Sequence, residues 1–215
     1  MRDQDTHKVI QILKNEVQQW QMPVVGHYSQ SPFTILISCL LSLRTQDKTT
    51  GEASARLFRL AQTPRAMLKL PTSVIEKTIY PVGFYKTKAK NIKKICQILL
   101  SRDEGSVPDD IDELLKLPGV GRKTANLVVT MGYNRPGICV DTHVHRITNR
   151  WGYVRTKTPQ KTEMALRAKL PRRYWIIINE LLVAYGQNIC KPISPFCSRC
   201  KIQGYCDRVG VSKSR

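Results

Sequence analysis

The sequence predicts an all-α protein, and three observations carry that prediction. Apolar residues recur at helical spacing in one segment after another. Prolines and glycines punctuate those segments where helices would start and stop. None of the alternating polar and apolar runs has the length of a strand. With 215 residues, 41% of them hydrophobic, the chain can bury one large or two modest cores.

Residues 7–20 place Val9, Ile10, Leu13, Val17 and Trp20 on one helical face, which predicts a first amphipathic helix. A polar, glycine-containing link follows. Ser31 and Pro32 then supply an N-cap and a favoured first helical residue for FTILISCLL, a segment apolar nearly all round and therefore central in a core. Cys39 within it reads as an inert small hydrophobe. The helix emerges at Ser42-Leu43-Arg44-Thr45-Gln46-Asp47-Lys48, a polar, basic end that suits either solvent or DNA contact. Helices are predicted at about 49–60, 64–70, 72–80 and 87–102, separated by Pro64, Pro71 and the break from Pro81 to Gly83. Val107-Pro108-Asp109-Asp110 gives an acidic helix start before IDELLKL, matched to the helix dipole. Beyond it VDTHVHRITNRWGYV, a segment around 159–170 and YWIIINELLVAYG read as helices, the last ending at Gly186 with Trp175, Ile178, Leu182 and Tyr185 on its core face. One echo appears inside the chain: Gly83-Phe84-Tyr85-Lys86-Thr87-Lys88-Ala89 lies 36 positions before Gly119-Val120-Gly121-Arg122-Lys123-Thr124-Ala125.

Thirty-five Lys and Arg against sixteen Asp and Glu give a net charge of +19, which favours a polyanionic partner, nucleic acid first. The longest apolar run, Ile35 to Leu41, is far short of the roughly 18 to 20 residues of a membrane span, so no membrane partner is expected. The N-terminus has neither the apolar stretch of a signal peptide nor the acid-poor character of a mitochondrial leader. A cytoplasmic, reducing location follows, nucleoid-associated in a prokaryote, and the seven cysteines do not read as a disulfide framework.

Two stretches carry chemistry. In Leu117-Pro118-Gly119-Val120-Gly121-Arg122-Lys123 the glycines permit a tight turn, and the helix start behind it can hold a DNA phosphate without reference to base sequence. Lys123 in the first helical turn is a cation where the dipole disfavours one, so it serves either as a phosphate contact or as an amine nucleophile able to form a Schiff base. Asp141 precedes Thr142-His143-Val144-His145 and reads as an N-cap whose carboxylate can also stabilise positive charge at a sugar. His143 and His145 differ by two positions and cannot share a helix face, so they read as packing or DNA contacts and not as a metal pair. The second stretch holds Cys190, Cys197, Cys200 and Cys206 as C-x6-C-x2-C-x5-C, a four-thiolate metal motif. Zinc and [4Fe–4S] both accept four thiolates, and spacing leaves the choice open. Four protein ligands leave no substrate position, which gives the site a structural or electron-transfer role. Cys96 and Cys139 fall outside the motif as ordinary buried thiols.

Together SPFTILISCLLS, VGFYKTKAKNI, LPGVGRKTAN, VDTHVHRI and the four terminal cysteines resemble the endonuclease III family of helix-hairpin-helix DNA glycosylases across nearly the whole chain. The resemblance implies a two-lobed all-α molecule: a six-helix barrel over about 25–133, and a second lobe from 1–24 with 134–215 carrying the cysteines. It implies that double-stranded DNA binds between the lobes with a damaged nucleotide flipped out, and that the four cysteines hold a [4Fe–4S] cluster. Lys123 matches the family's nucleophile and Asp141 its essential aspartate. Phe84 matches an apolar residue that wedges into the duplex, and Arg44 stands where many members carry a glutamine that fills the vacated hole. The expected DNA contacts are Arg44, Phe84, Lys88, Gly119, Val120, Gly121, Arg122 and His143. Lys191 alone is basic between Cys190 and Cys197, where some relatives have a richer basic loop.

The function implied is a monomeric, bifunctional N-glycosylase and abasic-site lyase that removes oxidised or fragmented pyrimidines from duplex DNA and cuts 3′ to the lesion by β-elimination. The alternatives are a mismatch-type (uracil or thymine) or mainly abasic-site-directed relative and, from another class, a non-catalytic DNA-binding iron–sulfur protein.

Overall fold

The computed structural model describes residues 1–20, 31–102 and 104–215. Among them the chain is helical with no strand, as the periodicity predicts. The glycine-containing link expected after the first helix falls outside the described residues. Contacts divide the chain into two compact units: Val24–Gly137, and Met1–Pro23 together with Ile138–Arg215.

The central unit is built round α2 (Pro32–Ser42), whose residues from Phe33 to Leu41 are all buried. Its start is as the sequence dictates. The Ser31 hydroxyl accepts from the Thr34 N–H at 3.2 Å while the Thr34 hydroxyl accepts from the Ser31 N–H at 3.1 Å, with Pro32 at the first helical position. Around α2 pack α3 (Asp47–Leu60), α6 (Tyr85–Arg102) and α8 (Arg122–Leu127). The short α4 (Pro64–Lys69) and α5 (Thr72–Ile79) close against α6, and α7 (Ile111–Leu115) leads to α8. Asp110 caps α7 by accepting from the N–H groups of Asp112 and Glu113 at 2.8 and 3.1 Å, the acidic start the sequence predicts. Helix α8 runs into a π-helical turn, Val128–Gly132, which packs back on α2 with Gly132 against Pro32. A Cβ at Gly132 would lie 3.2 Å from Pro32 Cα, so glycine allows that approach.

The terminal unit contains α1 (Thr6–Val17), α9 (Thr142–Arg150), α10 (Pro159–Lys169) and α11 (Ile178–Asn188). The predicted face of α1 is buried: Val9, Ile10, Leu13 and Val17 join Val144, Ile147, Leu182 and Tyr185 in one core. Helix α11 corrects the expected stop at Gly186, because it continues to Asn188. Gly186 lies inside the helix to let α9 approach: a Cβ there would collide with the His143 ring and come within 2.9 Å of Arg146 Nη2.

Candidate active site

The turn between α7 and α8 is made by its glycines and by Leu117. The Val120 N–H donates to the Leu117 carbonyl at 3.1 Å, and the Gly121 carbonyl accepts the first helical hydrogen bond from Ala125 at 2.9 Å. Gly119 adopts φ +80°, and a Cβ there would stand 2.8 Å from Asn91 Nδ2 on α6, so both the backbone angle and the space require glycine. Gly121, the N-cap, has open space on its Cβ side and normal dihedrals, which leaves its backbone approachable from outside. Arg122 is half-buried, and its carbonyl accepts from the buried Asn126 side chain at 3.0 Å. Lys123, the second residue of α8, is exposed, whereas Thr124 to Thr130 behind it are buried. Its cation lies near enough to Cys39 on α2 to offset part of the burial that pushes that thiol up to about 12.

Val120 departs from the role expected of it. It is only 7% exposed, and its N–H is used within the turn, so it anchors the turn from below and offers neither its side chain nor its amide to a ligand.

Two other turns of the central unit carry the expected duplex-opening residues. Arg44 and Phe84 are both exposed and both left-handed, at φ +54° and +56°. Such angles are rare for residues other than glycine. The Arg44 guanidinium stands 5.5 Å from the Phe84 ring centroid, within cation–π range. Tyr80 and Tyr85 meet edge to face beside Phe84, with centroids 5.4 Å apart.

Lys88 also corrects an expectation. In place of a DNA contact it is a buried residue, 7% exposed, whose Nζ donates to the carbonyls of Leu41 at 2.9 Å and Leu43 at 2.5 Å and approaches Thr45 Oγ1 at 3.3 Å. Burial pushes this amine down to about 8. Thr45, Asn91 and Asn126, to which sequence alone assigns no individual role, each support one of these turns.

In the terminal unit Asp141 caps α9: one carboxylate oxygen accepts from the N–H groups of His143 and Val144, both at 2.9 Å. The cap reading is therefore met, and the carboxylate is held at the helix start. His143, half-buried, packs with Nδ1 3.1 Å from Arg146 Nη2 and its ring against Gly186. His145 is tied elsewhere, to Thr162 Oγ1 at 2.6 Å, so the two histidines do not meet.

All four motif cysteines are free thiols and line one small cavity with Tyr185, Ile189, Phe196 and Arg150. Arg150 Nη1 lies 3.4 Å from Cys190 Sγ, and the Tyr185 hydroxyl lies 3.2 Å from Cys200 Sγ. Burial raises the Tyr185 hydroxyl far above the usual phenol range, which keeps it a donor. Arg146 and Arg150 also bind the carbonyls of Cys190, Lys191 and Pro192, fastening the first part of the cysteine loop to α9. Four thiols on one cavity, with N–H and O–H donors aimed at sulfur, suit a thiolate-ligated centre. Among the described residues no three His, Cys, Asp or Glu side chains are gathered closely enough to hold a single metal ion. No described helix is long and apolar enough to cross a membrane.

The chain as a whole is similar to known proteins. Residues 37–172 match the family model described as HhH-GPD superfamily base excision DNA repair protein. The chain is 46% identical to Endonuclease III of Thermotoga maritima over 182 residues, 85% of each protein. It is also 46% identical to Endonuclease III homolog 2, chloroplastic, of Arabidopsis thaliana over 183 residues, which is 81% of this chain and 47% of that longer protein. The solved structure of a trapped endonuclease III–DNA covalent intermediate superposes with a TM-score of 0.86 at 33% identity, covering 97% of both chains. With a family model matched over more than half of the chain and a relative 46% identical over 85% of each protein, the chain belongs to the HhH-GPD superfamily of base excision DNA repair proteins, within it to the endonuclease III family of DNA glycosylases and lyases.

Proposed function

We propose that the protein removes oxidised or ring-fragmented pyrimidines from double-stranded DNA and cleaves the resulting abasic site, acting as a monomer with Lys123 as the nucleophile. The observation that carries this reading is the exposed lysine in the first turn of α8, directly behind a glycine turn whose backbone is open at Gly121. A neutral Lys123 amine attacks C1′ of the damaged nucleotide, and the glycosidic electron pair leaves with the base, which takes up a proton. The nitrogen sheds its own proton, the sugar ring opens, and a C1′=N Schiff base forms. Loss of a C2′ proton then expels the 3′ phosphate by β-elimination, and water releases the lysine. Asp141 supplies a carboxylate that stabilises positive charge developing on the sugar and assists the proton transfers. Gly119, Gly121 and Arg122 hold the DNA backbone at the turn without reading sequence. Arg44 and Phe84 enter the duplex at the flipped nucleotide, for which their exposed positions on tight turns are suited.

Cys190, Cys197, Cys200 and Cys206 would hold a [4Fe–4S] cluster, supported by the four free thiols on one cavity and by the family. With its ligand positions filled by protein, such a cluster cross-links the loop and offers no place for substrate.

Borohydride trapping tests the chemistry. Wild-type protein mixed with abasic-site duplex and borohydride is expected to give a covalent adduct that Lys123→Ala loses; no adduct from wild type would end the lyase reading. Oligonucleotides bearing thymine glycol, a uracil mismatch, oxidised guanine or an abasic site then rank the lesions, with thymine glycol expected above the mismatch. Iron content and visible absorption of protein purified without oxygen decide the centre, and stoichiometric zinc would refute the cluster.

A further inference from the structure

Lys88 joins the two turns that carry Arg44 and Phe84. Its backbone N–H donates to the Phe84 carbonyl at 3.0 Å, which ties the residue to the second tip. Its side chain reaches the opposite way and gathers the segment after α2, with donors on the Leu41 and Leu43 carbonyls and near Thr45 Oγ1. Those carbonyls lie at a helix C-terminus, where a cation is favoured and where no further helical N–H is available to them. Thr45 completes the link. Its hydroxyl oxygen accepts from the Gly83 N–H at 3.1 Å, and its own proton lies toward the Leu43 carbonyl at 3.3 Å. The two turns touch so closely that a Cβ at Gly83 would sit 2.6 Å from the Arg44 carbonyl oxygen. Both tips hold left-handed angles that ordinary side chains avoid, and such angles persist only when surrounding contacts impose them.

We propose that Lys88 is the positioning residue of duplex opening: it locks the Arg44 turn and the Phe84 turn into one preformed wedge, so that neither tip has to be ordered when DNA is entered. This rests on the reading that Arg44 and Phe84 insert into the duplex. A preorganised pair of tips keeps binding energy for unstacking DNA, which a loose pair would spend on its own ordering. Lys88 touches no reacting atom in this account, and the lysine chemistry at residue 123 does not depend on it.

Lys88→Met keeps most of the unbranched side chain and removes its donors, and three readouts separate its effects. One is single-turnover excision of thymine glycol from a duplex. The second is fluorescence of 2-aminopurine placed opposite a tetrahydrofuran abasic analogue, which rises when that base is unstacked. The third is β-elimination at an abasic site in single-stranded DNA, where there is no duplex to open. The expected result is a loss of about tenfold or more in excision and loss of the fluorescence rise, with single-strand elimination within about twofold of wild type. Wild-type excision and fluorescence in Lys88→Met, with both lost in Phe84→Ala, would overturn the proposal and leave the wedge reading standing. No effect of Phe84→Ala would remove the wedge reading and this proposal together. A fall in single-strand elimination equal to the fall in duplex excision, with cooperative melting intact, would also overturn it by placing Lys88 in the chemistry. Should Lys88→Met fail to fold, Thr45→Val removes the bridging hydroxyl and is judged by the same readouts, expected to fall in the same direction.

Discussion

The central unit uses one local pattern twice and puts it to opposite ends. At residues 83–89 and 119–125 a glycine turn enters a helix, with a buried polar residue and a buried alanine at matching places: Lys88 and Ala89 in one, Thr124 and Ala125 in the other. The turn tips differ. Phe84 is 62% exposed, whereas Val120 at the matching position is 7% exposed. The lysines differ by one position in register, and that single step decides their fates. Lys88 takes the inward place and is bound by its own chain, while Lys123 takes the place matching Thr87 and stays exposed. The lesson is that a lysine after a glycine turn acquires its role from helical phase, since a shift of one residue rotates a side chain by about 100°.

The largest expected effect breaks this contrast at its exposed member. Lys123→Ala should abolish borohydride trapping and lower duplex cleavage by about a thousandfold or more, as loss of a covalent nucleophile does. It should leave stability within about 0.5 kcal/mol, because the side chain is exposed. A variant that fails to trap because it fails to fold would show itself by a lost melting transition.

At Lys88 the contrast can be sharpened by pH. Burial brings the folded amine to about 8 against 10.5 in the unfolded chain. Between those values the unfolded chain binds more protons, so stability rises as pH increases through that window. The gain is at most about 3 kcal/mol, and less to the extent that the three oxygen partners favour the ammonium. Denaturant unfolding of wild type minus Lys88→Met from pH 7.5 to 10.5 should show the slope, and a flat difference would rule it out.

Much of this was legible in the residues. The Ser31 cap with Pro32 behind it, the apolar α2, the Asp110 and Asp141 caps and the glycine turn before Lys123 all follow from local chemistry that acts within a few positions. What escaped depends on contacts distant in the chain. Thr45 gives no local sign that its hydroxyl meets Gly83, 38 positions away. Gly186 looks like a helix stop until α9 is seen pressing on it. Lys88 is the instructive case, because it falls on the same helical stripe as Ile92, Ile95 and Leu99, all buried. A lysine in phase with a core stripe is a visible sign of an inward-facing side chain.

Within the glycine turn a pair of substitutions separates architecture from contact. Gly119→Ala must adopt φ +80° and meet Asn91 Nδ2 at 2.8 Å, and should cost about 1 to 3 kcal/mol in thermal or denaturant unfolding. Gly121→Ala meets nothing within 4 Å and should change stability by less than about 0.5 kcal/mol. Its methyl group nevertheless occupies the open approach to the turn, so its affinity for abasic-analogue duplex should fall. Equal stability losses at both positions would contradict the division of labour drawn between them.

The smallest effect is expected at the other tip, and its sign is informative. Phe84→Gly removes an exposed ring and relieves a left-handed angle that glycine adopts freely, so stability should hold or rise by up to about 1 kcal/mol. Two things oppose the gain: the lost contact with Arg44 and the greater entropy of glycine in the unfolded chain. Thermal melting of Phe84→Gly against Phe84→Ala decides the balance, because both lose the ring and only alanine retains the strained angle. A higher melting temperature for glycine, together with impaired duplex excision in both, would show that the tip trades backbone comfort for an apolar side chain aimed outward. Alanine melting at or above glycine would show instead that the angle is held at no cost by the Lys88 and Thr45 network beneath it.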